Sequence, residues 1–257
     1  MRMHRPRKRF GQHFLEDRAV VEQMVAAISP ESDQRLVEIG PGMGALTAPL
    51  LQRVSHLDVI EIDRDLVQQL RGRYPKDRLT VHDVDALEFD FAKFGSELRV
   101  VGNLPYNVST PLLFHITDNA ARVHDVHFML QREVVQRMSA QAGSSAYGRL
   151  SVMLQYRWQI DPLFDVPPNA FRPAPRVWSS VVRMIPHPVL PHMARDERLF
   201  ADVVMRAFGQ RRKTLRNTLR DILAASDFIK LQIDPAARGE SLAVQDFVRI
   251  ANLLAEG

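Results

Sequence analysis

The 257-residue chain is 46% hydrophobic and has no cysteine, so it can bury one large core and a smaller one but cannot build a disulfide framework or a thiolate metal site. Formal net charge is +4, from 34 Lys+Arg against 30 Asp+Glu, but residues 1–9 hold five Lys/Arg and residues 206–220 hold six, with no acid in either window. No apolar run approaches the ~20 residues a bilayer span needs, and the basic start, Met1 to Arg9, is followed by Glu16-Asp17 instead of an apolar stretch, so neither a membrane span nor a signal peptide is expected.

Hydrophobic periodicity predicts strands near 35–39, 57–62, 79–82, 98–102, 123–130, 158–164 and 179–185. Helices are predicted near 17–28, 45–53, 64–73, 109–118, 131–140 and 148–156. Alternating β and α implies a Rossmann-like, doubly wound, mainly parallel sheet of seven strands with helices on both faces. The last two strands follow one another without a helix, through Pro162 to Pro175, and are expected to form an antiparallel edge hairpin. Pro186-His187-Pro188 to Pro191 reads as a linker, since proline continues neither element. Beyond it the pattern is wholly helical, near 196–208, 210–225 and 242–255. Two domains are therefore expected: 1–186, carrying the sheet and the basic N-terminal arm, and a small all-helical domain at 192–257.

The first stretch that carries chemistry is Val37-Glu38-Ile39-Gly40-Pro41-Gly42-Met43-Gly44-Ala45-Leu46-Thr47. A buried strand, a turn with glycines at alternate positions and a helix start together make a socket for a nucleoside-bearing small molecule. The spacing is G-x-G-x-G, not the G-x-G-x-x-G of dinucleotide enzymes. Next, Leu57-Asp58-Val59-Ile60-Glu61-Ile62-Asp63 is an apolar strand ending in acids, and Glu61 lies 21 residues after Gly40. A carboxylate there is where a doubly wound sheet grips ribose hydroxyls.

The fourth strand, Leu98-Arg99-Val100-Val101-Gly102, runs into Asn103-Leu104-Pro105-Tyr106. Proline pushes Leu104 out of the α region, so the chain leaves the strand extended with carbonyls facing outward. One side-chain amide oxygen and one backbone carbonyl match the two hydrogens of an exocyclic amine. Tyr106 offers a flat face to the ring that carries it. Such an amine is a poor nucleophile because its lone pair is delocalised, and holding both N–H bonds aims that lone pair at an electrophile. The tetrapeptide alone does not separate adenine N6 from cytosine N4.

In these motifs the chain resembles the bacterial ribosomal RNA adenine dimethyltransferase family. The resemblance runs from Phe10 nearly to the C-terminus. It rests on Arg9 to Leu15, Glu38 to Gly44, Glu61-Ile62-Asp63, Asp85-Ala86-Leu87, Asn103 to Tyr106, Phe171-Arg172-Pro173-Ala174-Pro175-Arg176-Val177 and Phe208 to Thr214. It implies S-adenosylmethionine as methyl donor and dimethylation of N6 on two neighbouring adenines of small-subunit (16S) rRNA, in an immature 30S particle. By the same resemblance, Gly40 and Gly42 pack against the methionine and ribose, Glu61 binds the ribose hydroxyls and Asp85, in preference to Asp83, accepts from the cofactor's adenine amine. Asn103 and Pro105 would hold the target N6, Tyr106 and Phe171 would sandwich the flipped base, and His13 and Leu15 belong to a segment that covers the cofactor. His13 stands where the family usually has asparagine, and Trp178 where it often has an acid.

Two basic segments on an otherwise acidic body read as an electrostatic footprint for nucleic acid. In the helix expected near 210–225, Arg212, Arg216 and Arg220 recur at i, i+4 on one face, suited to RNA phosphates, although a solvated helix face has the same pattern. The histidines show no ligand spacing beyond His124-Asp125-Val126-His127, which reads as structural, so no metal is expected. The chain is expected to be a cytoplasmic monomer. Two other function classes share features with it: a nicotinamide dehydrogenase, which lacks the Asn103 tetrapeptide, and a ribosome-assembly RNA-binding factor whose methyl transfer is secondary.

Overall fold

The computed structural model describes residues 12–256, so the basic arm Met1 to Arg9 lies outside the described residues. The chain divides into two compact units, residues 1–135 with 160–186 and residues 136–159 with 187–257. The break after Pro186 falls at the expected linker, but residues 136–159, expected with the sheet, belong to the second unit. The reason is packing. Tyr147, Val152 and Tyr156 are buried in one cluster with Phe200, Val203, Leu215, Phe247 and Ile250 from the C-terminal helices.

In the first unit, β1 (Phe14–Leu15), α1 (Arg18–Ile28), β2 (Leu36–Ile39), α2 (Thr47–Leu50), β3 (Leu57–Glu61), α3 (Arg64–Arg73) and β4 (Leu79–Asp83) come in turn. They are followed by β5 (Leu98–Asn103), α4 (Ser109–Asp118), β6 (Val123–Gln131) and α5 (Arg132–Met138), the last crossing into the second unit. After α6 (Arg149–Gln155), which belongs to the second unit, come β7 (Trp158–Val166), β8 (Phe171–Arg172) and β9 (Ser179–Pro186). Seven strands form one sheet in the order β4-β3-β2-β5-β6-β9-β7. The first five are parallel, and β9 runs antiparallel to β6. Strand order reverses between β2 and β5, the place where an open α/β sheet opens a crevice at its carboxyl ends. Sequence periodicity did not predict the two-residue ribbon in which β1 pairs with β8, Leu15 opposite Phe171.

Two features set the sheet. Gly102 on β5 lies so close to β2 that an added Cβ would sit 2.4 Å from the Ile39 carbonyl oxygen. At the other end of β5, Arg99 forms a bidentate pair with Asp125 of β6 (2.9 and 2.7 Å) and donates to the Ile28 carbonyl (2.6 Å). His127 is buried beside this pair, and desolvation holds its imidazole down to about 4, so it is neutral at pH 7. His124 is exposed and faces Glu97, and no metal-holding cluster of His, Cys, Asp or Glu occurs among the described residues.

The second unit continues with α7 (Glu197–Gly209), α8 (Leu215–Thr218), α9 (Ala225–Leu231) and α10 (Val244–Leu254). The single helix expected over 210–225 is broken. The first N–H groups of α8 go to carbonyls of another loop, Leu215 to Ala237 (2.8 Å) and Arg216 to Pro235 (3.0 Å), so no helical turn can precede Leu215. Asp227 then accepts from the Ala224 N–H (2.8 Å) and starts α9. Arg212 therefore precedes α8 and Arg220 follows it, so only Arg216 lies on the helix and the three arginines share no helical face.

Candidate active site

The carboxyl ends of β2, β3, β4 and β5 enclose a cavity of about 290 Å³. Its lining includes His13, Leu15, Gly40, Gly42, Glu61, Asp85, Asn103, Pro105 and Tyr106, drawn together from five separate stretches of chain. Gly40, Gly42 and Gly44 all adopt positive φ (67°, 57° and 87°), which turns the chain sharply out of β2. At Gly42 a Cβ would also meet the Phe14 ring at 3.1 Å, so the segment around His13 lies directly against the glycine turn.

Glu61 is oriented before any ligand arrives. Its carboxylate accepts from the Gly42 N–H (3.2 Å) and the Asp63 N–H (2.9 Å), and lone pairs remain for two further donors. Burial pushes its carboxyl up from the ordinary range, and those two N–H groups oppose the shift. Ile62, exposed and apolar, lines the cavity next to it. Asp85 lines the cavity whereas Asp83 is exposed outside it; one Asp85 oxygen takes the Leu87 N–H (2.9 Å), leaving the other free to accept.

Glu38 was quoted only as part of the glycine motif, yet it lines the same cavity with 1% exposure. It accepts from the Thr47 hydroxyl at 2.6 Å. Burial, with a smaller push from Glu61, raises its carboxyl to about 8. A pKa raised by folding means that the folded state keeps a proton which the unfolded chain loses above 4.5. The stabilisation is complete below pH 4.5 and fades as pH rises to 8, at about 1.4 kcal/mol per pH unit. Glu38→Gln, which cannot ionise, is expected to gain on the wild type by several degrees in Tm between pH 5 and pH 8. A difference that stays flat across this range would mean that Glu38 holds no such proton.

At the end of β5, the Asn103 side-chain N–H donates to the His13 carbonyl (3.2 Å), which fixes the amide so that its oxygen remains to accept. Pro105, expected to help hold the target amine, lines the cavity. Its carbonyl already accepts from the Val108 N–H (3.2 Å) and the Ser109 hydroxyl (3.0 Å) at the start of α4. The Leu104 carbonyl, by contrast, meets no donor among the described residues. Leu104 thus offers the backbone acceptor, and proline only shapes the chain that presents it.

The Tyr106 hydroxyl bonds Ser179 Oγ at 2.8 Å, and burial raises its pKa above the usual phenol value, so the ring is anchored with its proton on. Ser179 is distant in sequence, and no local signal points to it. The His13 ring stacks on Tyr106 with centroids 5.6 Å apart and planes inclined by 29°. His13 Nδ1 is 2.7 Å from the Pro173 carbonyl oxygen. These rings are already in contact, so the face of Tyr106 turned away from His13 is the one left for a base. Phe171, expected to sandwich that base, is not brought to the cavity in this structure. It is 1% exposed, lies outside the cavity lining and packs in the core with Leu15, Met129 and Val181. Its pairing with Leu15 across the β1–β8 ribbon turns it into the core.

The sequence profile of the family described as ribosomal RNA adenine dimethylase matches residues 3–256. The chain belongs to that family. "Ribosomal RNA small subunit methyltransferase A" of Aromatoleum aromaticum is 60% identical over 255 residues, covering 99% of this chain and 96% of that one. The protein of the same name from Methylobacillus flagellatus is 56% identical over 252 residues, covering 98% and 99%. Among solved structures, a dimethyladenosine transferase from Plasmodium falciparum superposes with TM-score 0.81 at 22% identity, over 95% of this chain and 98% of that one, and so shares the fold. An rRNA adenine dimethylase takes its methyl group from S-adenosylmethionine, and the cavity lining has features that such a cofactor can use: two carboxylates, Glu61 and Asp85, the apolar Ile62, and a turn with glycine at alternate positions. Glu61→Ala is expected to weaken S-adenosylmethionine binding by roughly 1.5–3 kcal/mol, the worth of a hydrogen bond to a charged group. Calorimetry giving the wild-type affinity would remove Glu61 from the ribose site.

Proposed function

We propose that the chain dimethylates N6 of two adjacent adenosines in the 3'-terminal hairpin of small-subunit rRNA during assembly of the 30S subunit. The observation that carries the reading is the pair of free acceptors, Asn103 Oδ1 and the Leu104 carbonyl, presented beside Tyr106 at the cavity. Bound S-adenosylmethionine supplies an electrophilic methyl group. Asn103 and Leu104 hold the two amine hydrogens, and Tyr106 keeps the ring in plane with them. Held in this way, the nitrogen approaches the cofactor with its lone pair aimed. No strong base is required of the chain, because the alkylated nitrogen is cationic and sheds its proton readily. Glu61 and Asp85 hold the cofactor's ribose and adenine, and the segment of His13 and Leu15 closes over the glycine turn. In this reading the chain works as a cytoplasmic monomer.

Reaching Tyr106 requires unstacking the adenine, at a cost of a few kcal/mol that contacts elsewhere on the RNA can offset. In the second unit, Arg216 and Arg220 line a pocket with Leu223, Phe228, Ile233 and Asp234; Arg220 is 3.4 Å from Asp221, an exposed and therefore weak pairing, so both cations can take a phosphate-docking role. Arg212 joins them only as part of the same basic segment. The test is incubation of immature small-subunit particles with labelled S-adenosylmethionine, followed by mass spectrometry of the digested rRNA. Dimethyladenosine at two neighbouring positions is the expected product. Methylcytidine, or no product, would overturn the reading.

A further inference from the structure

Trp178 has no part in the chemistry above, yet its place is unusual. It precedes Ser179, the residue that anchors the Tyr106 hydroxyl at 2.8 Å. It is 47% exposed, as one of a run of exposed residues that includes Arg176 and Val177. Its backbone is fixed, because the Trp178 carbonyl accepts from the Arg132 N–H at 2.9 Å, which extends the β6–β9 pairing by one step. The Arg132 guanidinium lies over the indole, 5.9 Å from the ring centroid, and 3.5 Å from Asp165. A large aromatic ring is thus held in solvent with one guanidinium over it, one residue from the group that positions the catalytic tyrosine.

We propose that Trp178 is a positioning residue for the RNA: its indole stacks an unpaired base next to the target adenine, and Arg132 and Arg176 take the adjoining phosphates. This rests on the proposed rRNA methylation. Trp178 is the chain neighbour of Ser179, which bonds the Tyr106 hydroxyl, so a base left unstacked when the target is withdrawn into the cavity has the indole as the nearest exposed aromatic ring along this segment. An aromatic face accepts any base, and a nearby guanidinium adds phosphate pairing to ring contact. Self-pairing of Arg132 with Asp165 does not compete strongly, since both side chains are nearly half exposed and such pairs are weak in water.

The chain's two tryptophans make the test direct, because Trp158 is 1% exposed and Trp178 is the iodide-accessible one. The full chain is titrated with an RNA hairpin carrying two adjacent loop adenosines, in the presence of S-adenosylhomocysteine. Quenching of the exposed emission and loss of its iodide access are expected. Trp178→Ala is expected to raise KM for small-subunit particles about tenfold, within the range of one lost stacking contact, with kcat and cofactor affinity near wild type. Trp178→Phe, which keeps a stacking face, should restore most of the KM while lacking the fluorescence signal. If the wild type methylates rRNA but the hairpin leaves Trp178 emission unchanged, or Trp178→Ala keeps the wild-type KM, the platform is refuted and the methylation stands. If the wild type methylates no rRNA, the proposed function fails and the platform with it.

Discussion

Asn103→Ala is expected to lower methyl transfer by roughly 10²–10³, on the scale of losing one preorganised hydrogen-bonding group at a reacting centre. The argument rests on what the side chain does at each end. Its N–H is committed to the His13 carbonyl at 3.2 Å, so the oxygen is the end left for the substrate amine. Removing it leaves the Leu104 carbonyl to hold one hydrogen while the other turns free, and the nitrogen lone pair remains conjugated into the ring. Cofactor affinity should stay within a few-fold, because Glu61 ends β3 and Asp85 lies in the loop after β4, both away from β5 in the chain. Single-turnover rates with saturating cofactor, set beside calorimetric affinity, separate the two effects. Near-normal turnover would show that Asn103 does not hold the amine. A large loss of cofactor affinity would show instead that it acts through the segment around His13.

The sheet was legible in the sequence because parallel strands buried on both faces leave long apolar runs, and each of the seven was found within a residue or two of its observed bounds. The residues lining the cavity were legible for a related reason: they sit at strand ends, where a glycine or an acid interrupts such a run. What was not legible depends on contacts between distant residues. The β1–β8 ribbon is two residues long on each side, too short for any period, and it is what carries Phe171 into the core. The break before α8 comes from carbonyls of Ala237 and Pro235, about twenty residues downstream, so an uninterrupted pattern over 210–225 misread a four-residue helix between turns as one long helix. Residues 136–159 look like a further α-and-β repeat of the sheet, but the apolar faces of Tyr147 and Tyr156 find their partners among the C-terminal helices. The competition for the Pro105 carbonyl was not legible for a local reason: a carbonyl just before a helix start is taken by that helix, here by the Val108 N–H and the Ser109 hydroxyl.

Gly102→Ala is expected to be the most damaging single-methyl change in the sheet. Its Cβ would lie 2.4 Å from the Ile39 carbonyl oxygen and 3.3 Å from the Ile39 carbonyl carbon, against backbone that cannot swing aside as a side chain could. Strands β2 and β5 would have to part at the point where strand order reverses and the cavity opens. Overpacking of a close-packed interior costs about 1–3 kcal/mol, and a backbone clash belongs at the upper end. That corresponds to a fall in Tm of about 6–12 °C for a chain of this size. Function should suffer beyond stability, because the displaced strand ends carry Gly40 and Asn103, one on each side of the cavity. Cofactor affinity and transfer rate are both expected to drop even at temperatures where the variant is folded. Gly72→Ala on α3 is the control: nothing lies within 4 Å of its added Cβ, so the change should be neutral or stabilising by up to about 1 kcal/mol. Equal melting temperatures for the two variants would refute the close approach of β5 to β2 at Gly102.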